Sequence, residues 1–328
     1  MVRVIEGPPT PPPSFARVAA RDVPPLRIGV VQHEWAPSGL DEWLGAAIDE
    51  AAARGARIVF LPEVTFSRYP ADTLPSGAAT ELAEDLDSGP TLAFARAAAK
   101  RNNVYVHASL YRRADAADGL GLNTAIVVNP SGELVAATNK LHIPVTAGYY
   151  EDKYFRPGPA GPDDPYPVYA FDDLGDVRLG LPTCWDEWFP EVARAYAIGG
   201  ANIVVYPTAI GSEPDHPDFD TQPLWQQVIV GNGIANGLFM VVPNRTGTEM
   251  KPDGTQGNTF YGSSFVSDPY GRILVQAPRD EPCVLVCDLD LTQREDWLDL
   301  FPFLRTRRPD TYGALTQPVD ESHPYGRT

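Results

Sequence analysis

The chain repeats its own pattern, and that repeat constrains the fold more than any single motif. The first half reads as strand 27–32, helix 41–55, strand 56–62, helix 91–103 and strand 104–111. A hairpin follows, in which 123–128 turns through Asn129-Pro130-Ser131-Gly132 into 134–138. The second half reads as strand 176–181, helix 187–199, strand 201–207, helix 224–237 and strand 238–243. It ends in a hairpin of its own, 262–267 turning through Asp268-Pro269-Tyr270-Gly271 into 272–276. Trp43, Leu44, Ala47, Ile48 and Ala51 share one face of the first helix, so that helix has one side to bury. A sheet with helices on one face keeps its other face bare, and two bare faces are best buried against each other. The expected fold is α/β, a four-layer α-β-β-α sandwich built from a duplicated α/β unit. The alternative, a single doubly wound sheet with a nucleotide crevice, lacks its phosphate loop. No G-x-G-x-x-G joins a strand to a helix, and G-x-x-x-x-G-K-[ST] does not occur.

Three segments follow from this. Residues 1–25, with Pro8, Pro9, Pro11, Pro12 and Pro13, read as an extended extension lying on the surface or on a partner subunit; residues 26–290 form the body; residues 291–328 form a tail. The tail carries Trp297, Leu298, Leu300, Phe301, Phe303 and Leu304, more apolar surface than a free terminus exposes. It is therefore expected to pack on another copy in a homo-oligomer. Lys and Arg number 26 against 43 Asp and Glu, a net charge of −17, and no basic run is longer than Arg307-Arg308. Such a surface disfavours nucleic acid and anionic membranes as partners, and steers cationic or neutral small molecules more readily than anions. No apolar run approaches the roughly 20 residues of a membrane span, and Glu6 with the following prolines breaks any signal-peptide core, so a cytoplasmic location is expected. Cys184, Cys283 and Cys287 are the only cysteines and form no C-x-x-C pair, which supports neither a disulfide framework nor a zinc knuckle. Cys283 and Cys287 alternate along a late strand, 282–290, and read as sheet residues.

Cys184 stands just beyond a buried strand, in Leu181-Pro182-Thr183-Cys184-Trp185-Asp186-Glu187-Trp188-Phe189-Pro190-Glu191, where a helix is expected to start. A thiol at such an elbow meets unpaired backbone N–H groups and the positive end of the helix dipole, which favour a thiolate and later an oxyanion. Taken alone, it is equally a small buried hydrophobe. Glu63 ends the apolar Phe60-Leu61-Pro62-Glu63 and is placed as a general base or as a satisfied strand-end carboxylate. Lys140, in Asn139-Lys140-Leu141-His142-Ile143-Pro144, is by itself a surface lysine. The three gain meaning together, because a nucleophile needs a base for its proton and a cation or N–H for the charge it creates. His142 and His216 leave Cys-His catalysis as a second mechanism, although His142 is better suited to a structural hydrogen bond.

Those three motifs, in that order and spacing across residues 27–290, resemble the Glu-Lys-Cys signature of the nitrilase superfamily of carbon-nitrogen hydrolases. Gly148-Tyr149-Tyr150-Glu151-Asp152-Lys153-Tyr154-Phe155-Arg156-Pro157-Gly158 and Tyr206-Pro207-Thr208-Ala209-Ile210-Gly211-Ser212-Glu213-Pro214 are most similar to the N-carbamoylputrescine amidohydrolase branch, with β-ureidopropionase next. The resemblance implies the same sandwich, assembled into dimers or larger oligomers, with no metal and no organic cofactor. By motif position it implies Cys184 as nucleophile, Glu63 as general base, Lys140 as transition-state stabiliser and Glu151 as a second glutamate that orients groups or relays protons. The N–H of Trp185 would complete the oxyanion hole. The implied reaction is hydrolysis of an N-carbamoyl amine to ammonia, carbon dioxide and a free amine.

Two departures qualify the substrate. Asn139 stands where a basic residue often precedes the lysine, and Val64-Thr65-Phe66-Ser67-Arg68-Tyr69-Pro70 lacks the usual Gly-Tyr run after the base. Arg68 offers a guanidinium able to clamp a carboxylate, whereas Asp186, Glu187, Glu213 and Asp215 are each a solvated surface acid or an acid for a distal amine, the resemblance favouring the second for Glu187 and Glu213. The alternatives are an N-carbamoyl amino acid held by Arg68 or Arg245, and a non-catalytic assembly protein working through its arm and tail.

Overall fold

The computed structural model describes residues 2–160 and 163–325. Among them, the strands form one sheet of nine and one of six. Across the first sheet the order is Val4–Glu6, Cys283–Leu289, Leu26–Glu34, Ile58–Phe60, Tyr105–Arg112, Leu122–Val128 and Leu134–Asn139. The hairpin Arg245–Met250/Gln256–Tyr261 joins this sheet where Arg245 pairs with His33. The second sheet runs Ile273–Gln276, Phe265–Ser267, Phe239–Val242, Ile203–Val205, Val177–Gly180 and Val168–Phe171. Three parallel strands lie at the heart of each sheet, beside an antiparallel hairpin, so the repeat read from the sequence is a repeat in space.

Side-chain alternation assigns the layers. Val30, Phe60 and Val127 of the first sheet meet Leu179, Val205 and Val241 of the second in one core. Val59, Leu61 and Val106 point the other way, onto Leu44 and Ile48 of the helix Leu40–Ala53 and Leu92 of Pro90–Asn102. On the far side, Val204, Met240 and Val242 pack on Val192 and Tyr196 of Pro190–Ile198 and on Trp225 and Ile229 of Gln222–Asn236. This is the four-layer α-β-β-α sandwich.

The structure differs from the expected elements in identifiable places. The α-helix expected from residue 187 begins at Pro190, whose fixed φ and missing N–H suit a first turn; a separate 3₁₀ turn, Cys184–Trp188, precedes it. Cys184 therefore opens a short turn and not a full α-helix. The strand expected from 262 begins at Phe265, because Gly262 and Ser263 take φ of +54° and +59° and break it from Gln256–Tyr261. The N-terminal extension lies on this chain. Val4–Glu6 pairs in parallel with Cys283–Leu289, the Arg272 guanidinium sits 4.3 Å from the Phe15 ring centroid, and Arg17 binds Asp290 and Asp296. The tail begins with a helix, Gln293–Leu300, that also packs at home: Arg294 donates to the carbonyls of Ala197, Asn236 and Gly237, and Trp297 Nε1 donates to Ile234.

Candidate active site

The parallel strands of both sheets deliver their following loops to one end of the sandwich, where an α/β sheet commonly places its ligand. Glu63 comes from the loop after Ile58–Phe60, Lys140 from the residue after Leu134–Asn139, and Cys184 from the segment after Val177–Gly180. Lys140 Nζ donates to Glu63 Oε1 at 2.9 Å and to Glu151 Oε2 at 2.6 Å. Asn123 Nδ2 donates to the same Glu63 oxygen at 2.7 Å. Glu63 Oε2 is buried with no hydrogen-bond partner, so one oxygen of the carboxylate is open to accept a proton.

Burial alone would strip the proton from Lys140; Glu151 and Glu63 outweigh it and hold its pKa well above the ordinary lysine value. Glu151 is pushed upward, by burial first, with Lys140 and then the Tyr69 hydroxyl opposing. Burial and then the charge of Glu63 raise the Cys184 thiol well above its usual range, with Lys140 opposing and Glu187 and Glu151 adding. That direction favours a thiol over a thiolate, so a sulfur in this setting could act as a nucleophile only with a base at hand, and the acids that raise it are the residues gathered round it.

Backbone strain marks both partners. Among the described residues, Val64 and Cys184 are two of the four non-glycine residues in the left-handed region, at φ +46° and +37°. Arg245 holds the first: it is fully buried, donates to the carbonyl of Glu63 at 3.0 and 3.2 Å and to that of Ser67 at 2.7 Å, and also reaches the carbonyl of Val64. Asp186 holds the second. Its Oδ1 accepts from the His142 amide at 2.9 Å and contacts His142 Nδ1 at 2.7 Å, while Oδ2 accepts from the Thr183 amide at 3.0 Å, tying the lysine loop to the cysteine turn. His142 stacks flat on Phe189, 3.8 Å between ring centroids, as a structural histidine does.

The remaining residues fall as follows. Trp185 is the second residue of the Cys184–Trp188 turn, where helix geometry supplies an N–H without an acceptor of its own turn. Glu187 is fully buried, neither carboxylate oxygen meets a donor in good hydrogen-bond geometry, and burial raises its pKa well above normal with the nearby Trp225 indole opposing. Glu213 is half-buried on a cleft of 360 Å³ whose wall also includes Asp72, Tyr150, Asp215 and Lys251, and burial raises its pKa with His216 opposing. Tyr149, next to that wall, lies in electrostatic reach of both Glu213 and Cys184. The lining of that cleft includes Gly148 and Tyr150 but none of Glu63, Lys140, Glu151 or Cys184, and a larger cavity of 670 Å³, bordered by Leu26, Gly55 and Asp176, touches neither set. Arg68 donates to the carbonyls of Met250 at 2.6 Å and Tyr69 at 2.9 Å and binds the Asp72 carboxylate, and Arg245 is spent as described, so both guanidiniums expected as clamps are engaged within the chain. Cys283 and Cys287 are buried strand residues, as expected. Sequence reasoning missed Asn123 and Tyr69; it read Arg245 only as a substrate ligand, and Asp186 as a solvated acid or a ligand for a distal amine. Among the described residues no group of three or more His, Cys, Asp or Glu is arranged to hold a metal ion, and no helix is long and apolar enough to cross a membrane.

Comparison with known proteins gives the family and the fold. A carbon-nitrogen hydrolase family model matches residues 17–298. A citrullinase of Francisella tularensis is 34% identical over 275 residues, covering 84% of this chain and 91% of the relative. An N-carbamoylputrescine amidase of Arabidopsis thaliana is 34% identical over 270 residues, covering 82% and 87%. The crystal structure of a carbon-nitrogen hydrolase from Helicobacter pylori G27 superposes with a TM-score of 0.79 at 32% identity, over 90% of this chain and all of that one.

Proposed function

Since this chain belongs to the carbon-nitrogen hydrolase family of the nitrilase superfamily, and is an enzyme acting on amide or carbamoyl groups, we propose that its substrate is an N-carbamoyl amine resembling N-carbamoylputrescine. The observation that carries the reading is the buried Glu63–Lys140–Glu151 set beside Cys184, with the base's second oxygen free. Glu63 takes the thiol proton while Sγ bonds to the carbamoyl carbon, and the oxyanion is met by Lys140 Nζ and the N–H of Trp185. The C–N bond to the terminal nitrogen then breaks, and ammonia leaves with the proton Glu63 had taken. Water, deprotonated by Glu63, attacks the thioester; the C–S bond breaks, the thiolate recovers a proton, and the carbamate loses carbon dioxide to give the amine.

Acids at the cleft support a cationic far end. The Glu213 carboxylate has no hydrogen-bond or ion-pair partner among the described residues, and Asp215 lies beside it on the same wall, while the buried Glu187 carboxyl, held toward its neutral form, lies nearer the sulfur. A second reading, an N-carbamoyl amino acid, is favoured by Lys251 on the same wall and by the citrullinase relative. Its carboxylate would pair with Lys251, since Arg68 and Arg245 are already engaged. Cytoplasmic action and assembly into dimers or larger oligomers complete the proposal.

The test is ammonia release, side by side, from N-carbamoylputrescine, L-citrulline, N-carbamoyl-β-alanine and a simple aliphatic amide. N-carbamoylputrescine should be turned over best, Cys184→Ala should abolish release, and Glu213→Gln should raise KM for the cationic substrate about tenfold while sparing N-carbamoyl-β-alanine. Preference for N-carbamoyl-β-alanine, or an unchanged rate in Cys184→Ala, would reject the proposal.

A further inference from the structure

The strand hairpin Arg245–Met250/Gln256–Tyr261 supplies nothing to the nucleophile, yet it closes a ring of hydrogen bonds through the site. Arg245 holds the carbonyls of Glu63, Val64 and Ser67, and its Nη1 pairs with Glu249 Oε1 at 2.5 Å. Glu249 Oε2 accepts from the Tyr69 amide at 2.7 Å, and the Tyr69 hydroxyl donates to Glu151 Oε1 at 2.8 Å. Glu151 Oε2 takes Lys140, and Lys140 returns to Glu63. Arg245, Glu249, Tyr69, Glu151, Lys140 and Glu63 are all buried, so each link acts at low dielectric where a missing partner is costly.

We propose that Tyr69, fixed by the Arg245–Glu249 pair, is a positioning residue that keeps Glu151 ionised and thereby keeps Lys140 shared between two carboxylates, leaving Glu63 basic. The inference rests on the reading of Glu63 as base. Glu151 is faced by Lys140, Glu63, Cys184, Tyr69 and Tyr149. Lys140 is the single cation among them, and it already serves Glu63. A hydroxyl donated to a carboxylate favours its charged form, and burial holds the Tyr69 phenol itself as a donor far above the ordinary tyrosine range. Without that donor Glu151 takes up a proton more readily, Lys140 turns wholly to Glu63, and the base is weakened toward both the thiol and water. Tyr69 is fixed at both ends, its amide by Glu249 and its ring edge-on to Phe260 at 5.8 Å, which is what a donor of constant aim requires.

Tyr69→Phe in the full chain keeps the ring and removes only the hydroxyl. Infrared titration should show the protonated-carboxyl band of Glu151, identified by its loss in Glu151→Gln, growing in about one pH unit higher in Tyr69→Phe than in wild type. The kcat for ammonia release should fall about tenfold with KM changed less than about twofold, and its acid limb should move up by the same interval. Glu249→Gln, which loosens the amide anchor, should move the band in the same direction by less. A band at the wild-type pH in Tyr69→Phe overturns the proposal, as does a loss of kcat accompanied only by a lower melting temperature. If wild type hydrolyses no carbamoyl compound but the band still moves, the substrate assignment fails and the role of Tyr69 stands.

Discussion

Asp186 accepts the amides of His142 and Thr183, residues that belong to the lysine and cysteine loops respectively, and it is fully buried while doing so. Removing the carboxylate leaves these two close backbone donors, and the Leu141 amide at 3.4 Å, without their acceptor where water does not reach, each close donor worth about 1–3 kcal/mol. Asp186→Ala should therefore lower unfolding free energy by about 3 kcal/mol in urea titration, and Asp186→Asn, which keeps one acceptor oxygen, by about half of that. Ammonia release should fall further than stability does, because the same two bonds set where Lys140 stands relative to Cys184. Wild-type stability in Asp186→Ala would show that the two loops are held together by something else. An acid flanking the nucleophile was visible in the sequence, but its partners were not. Next to Cys184 it read as a solvated acid or a ligand for a distal amine, since nothing local says that residue 142 folds back onto it.

At the level of elements, the strand Tyr105–Arg112 carries His107 opposite Phe60 on one side and Val127 on the other, in the core between the sheets. Neither ring nitrogen has a partner, and burial lowers the imidazole pKa from 6.5 to about 3. The unfolded chain binds this proton below about pH 6.5 and the folded chain does not until about pH 3. Stability present above pH 6.5 is thus lost as pH falls toward 3, at up to about 1.4 kcal/mol per pH unit. The buried His33, lowered in the same way by burial and by Arg245, adds a slope of the same sign. His107→Phe should flatten the dependence of the urea midpoint on pH between 7 and 4, and an unchanged slope would place the acid sensitivity elsewhere. What the sequence disclosed about elements follows how local their causes are. The hairpin Leu122–Val128/Leu134–Asn139 was legible because Asn129-Pro130-Ser131-Gly132 dictates its turn and apolar residues alternate on both sides. The hairpin Arg245–Met250/Gln256–Tyr261 was not, because its strands are polar and glycine-broken; the first becomes a strand by pairing with His33 and Glu34 and by burying Arg245 against the Glu63 loop, and the second by pairing with the first. Glu63, Lys140, Glu151 and Cys184 lay in motifs long enough to recognise. Asn123 and Tyr69 did not, since a lone asparagine at a strand start and a tyrosine in a loop have no spacing that announces a partner.

At the scale of the molecule, the tail divides into two parts with different physics. The helix Gln293–Leu300 buries Gln293 and Asp296, and its Trp297 packs against Tyr270. Beyond it, Phe301 is 53% exposed, Leu315 65% and Val319 67%, in a stretch whose turns Pro309–Thr311 and Gly313–Thr316 bury none of their residues. Apolar side chains strung along an extended segment cost solubility unless another surface covers them. Each copy carries a net charge of −17, so two bodies approaching directly repel, while Arg305 and Arg307 at the root of this segment offer positive charge to an acidic neighbour, Arg308 being paired with Asp310. The segment is accordingly expected to lie across a second copy of the chain, consistent with an oligomer. Removing residues 306–328 spares the home-packed helix and isolates that role. Sedimentation should find the full chain at a multiple of its monomer mass and the truncated chain shifted toward monomer, with circular dichroism unchanged. A full chain that sediments as a monomer, or a truncation that leaves the mass of the assembly intact, would mean that these apolar side chains are covered by something other than a second copy.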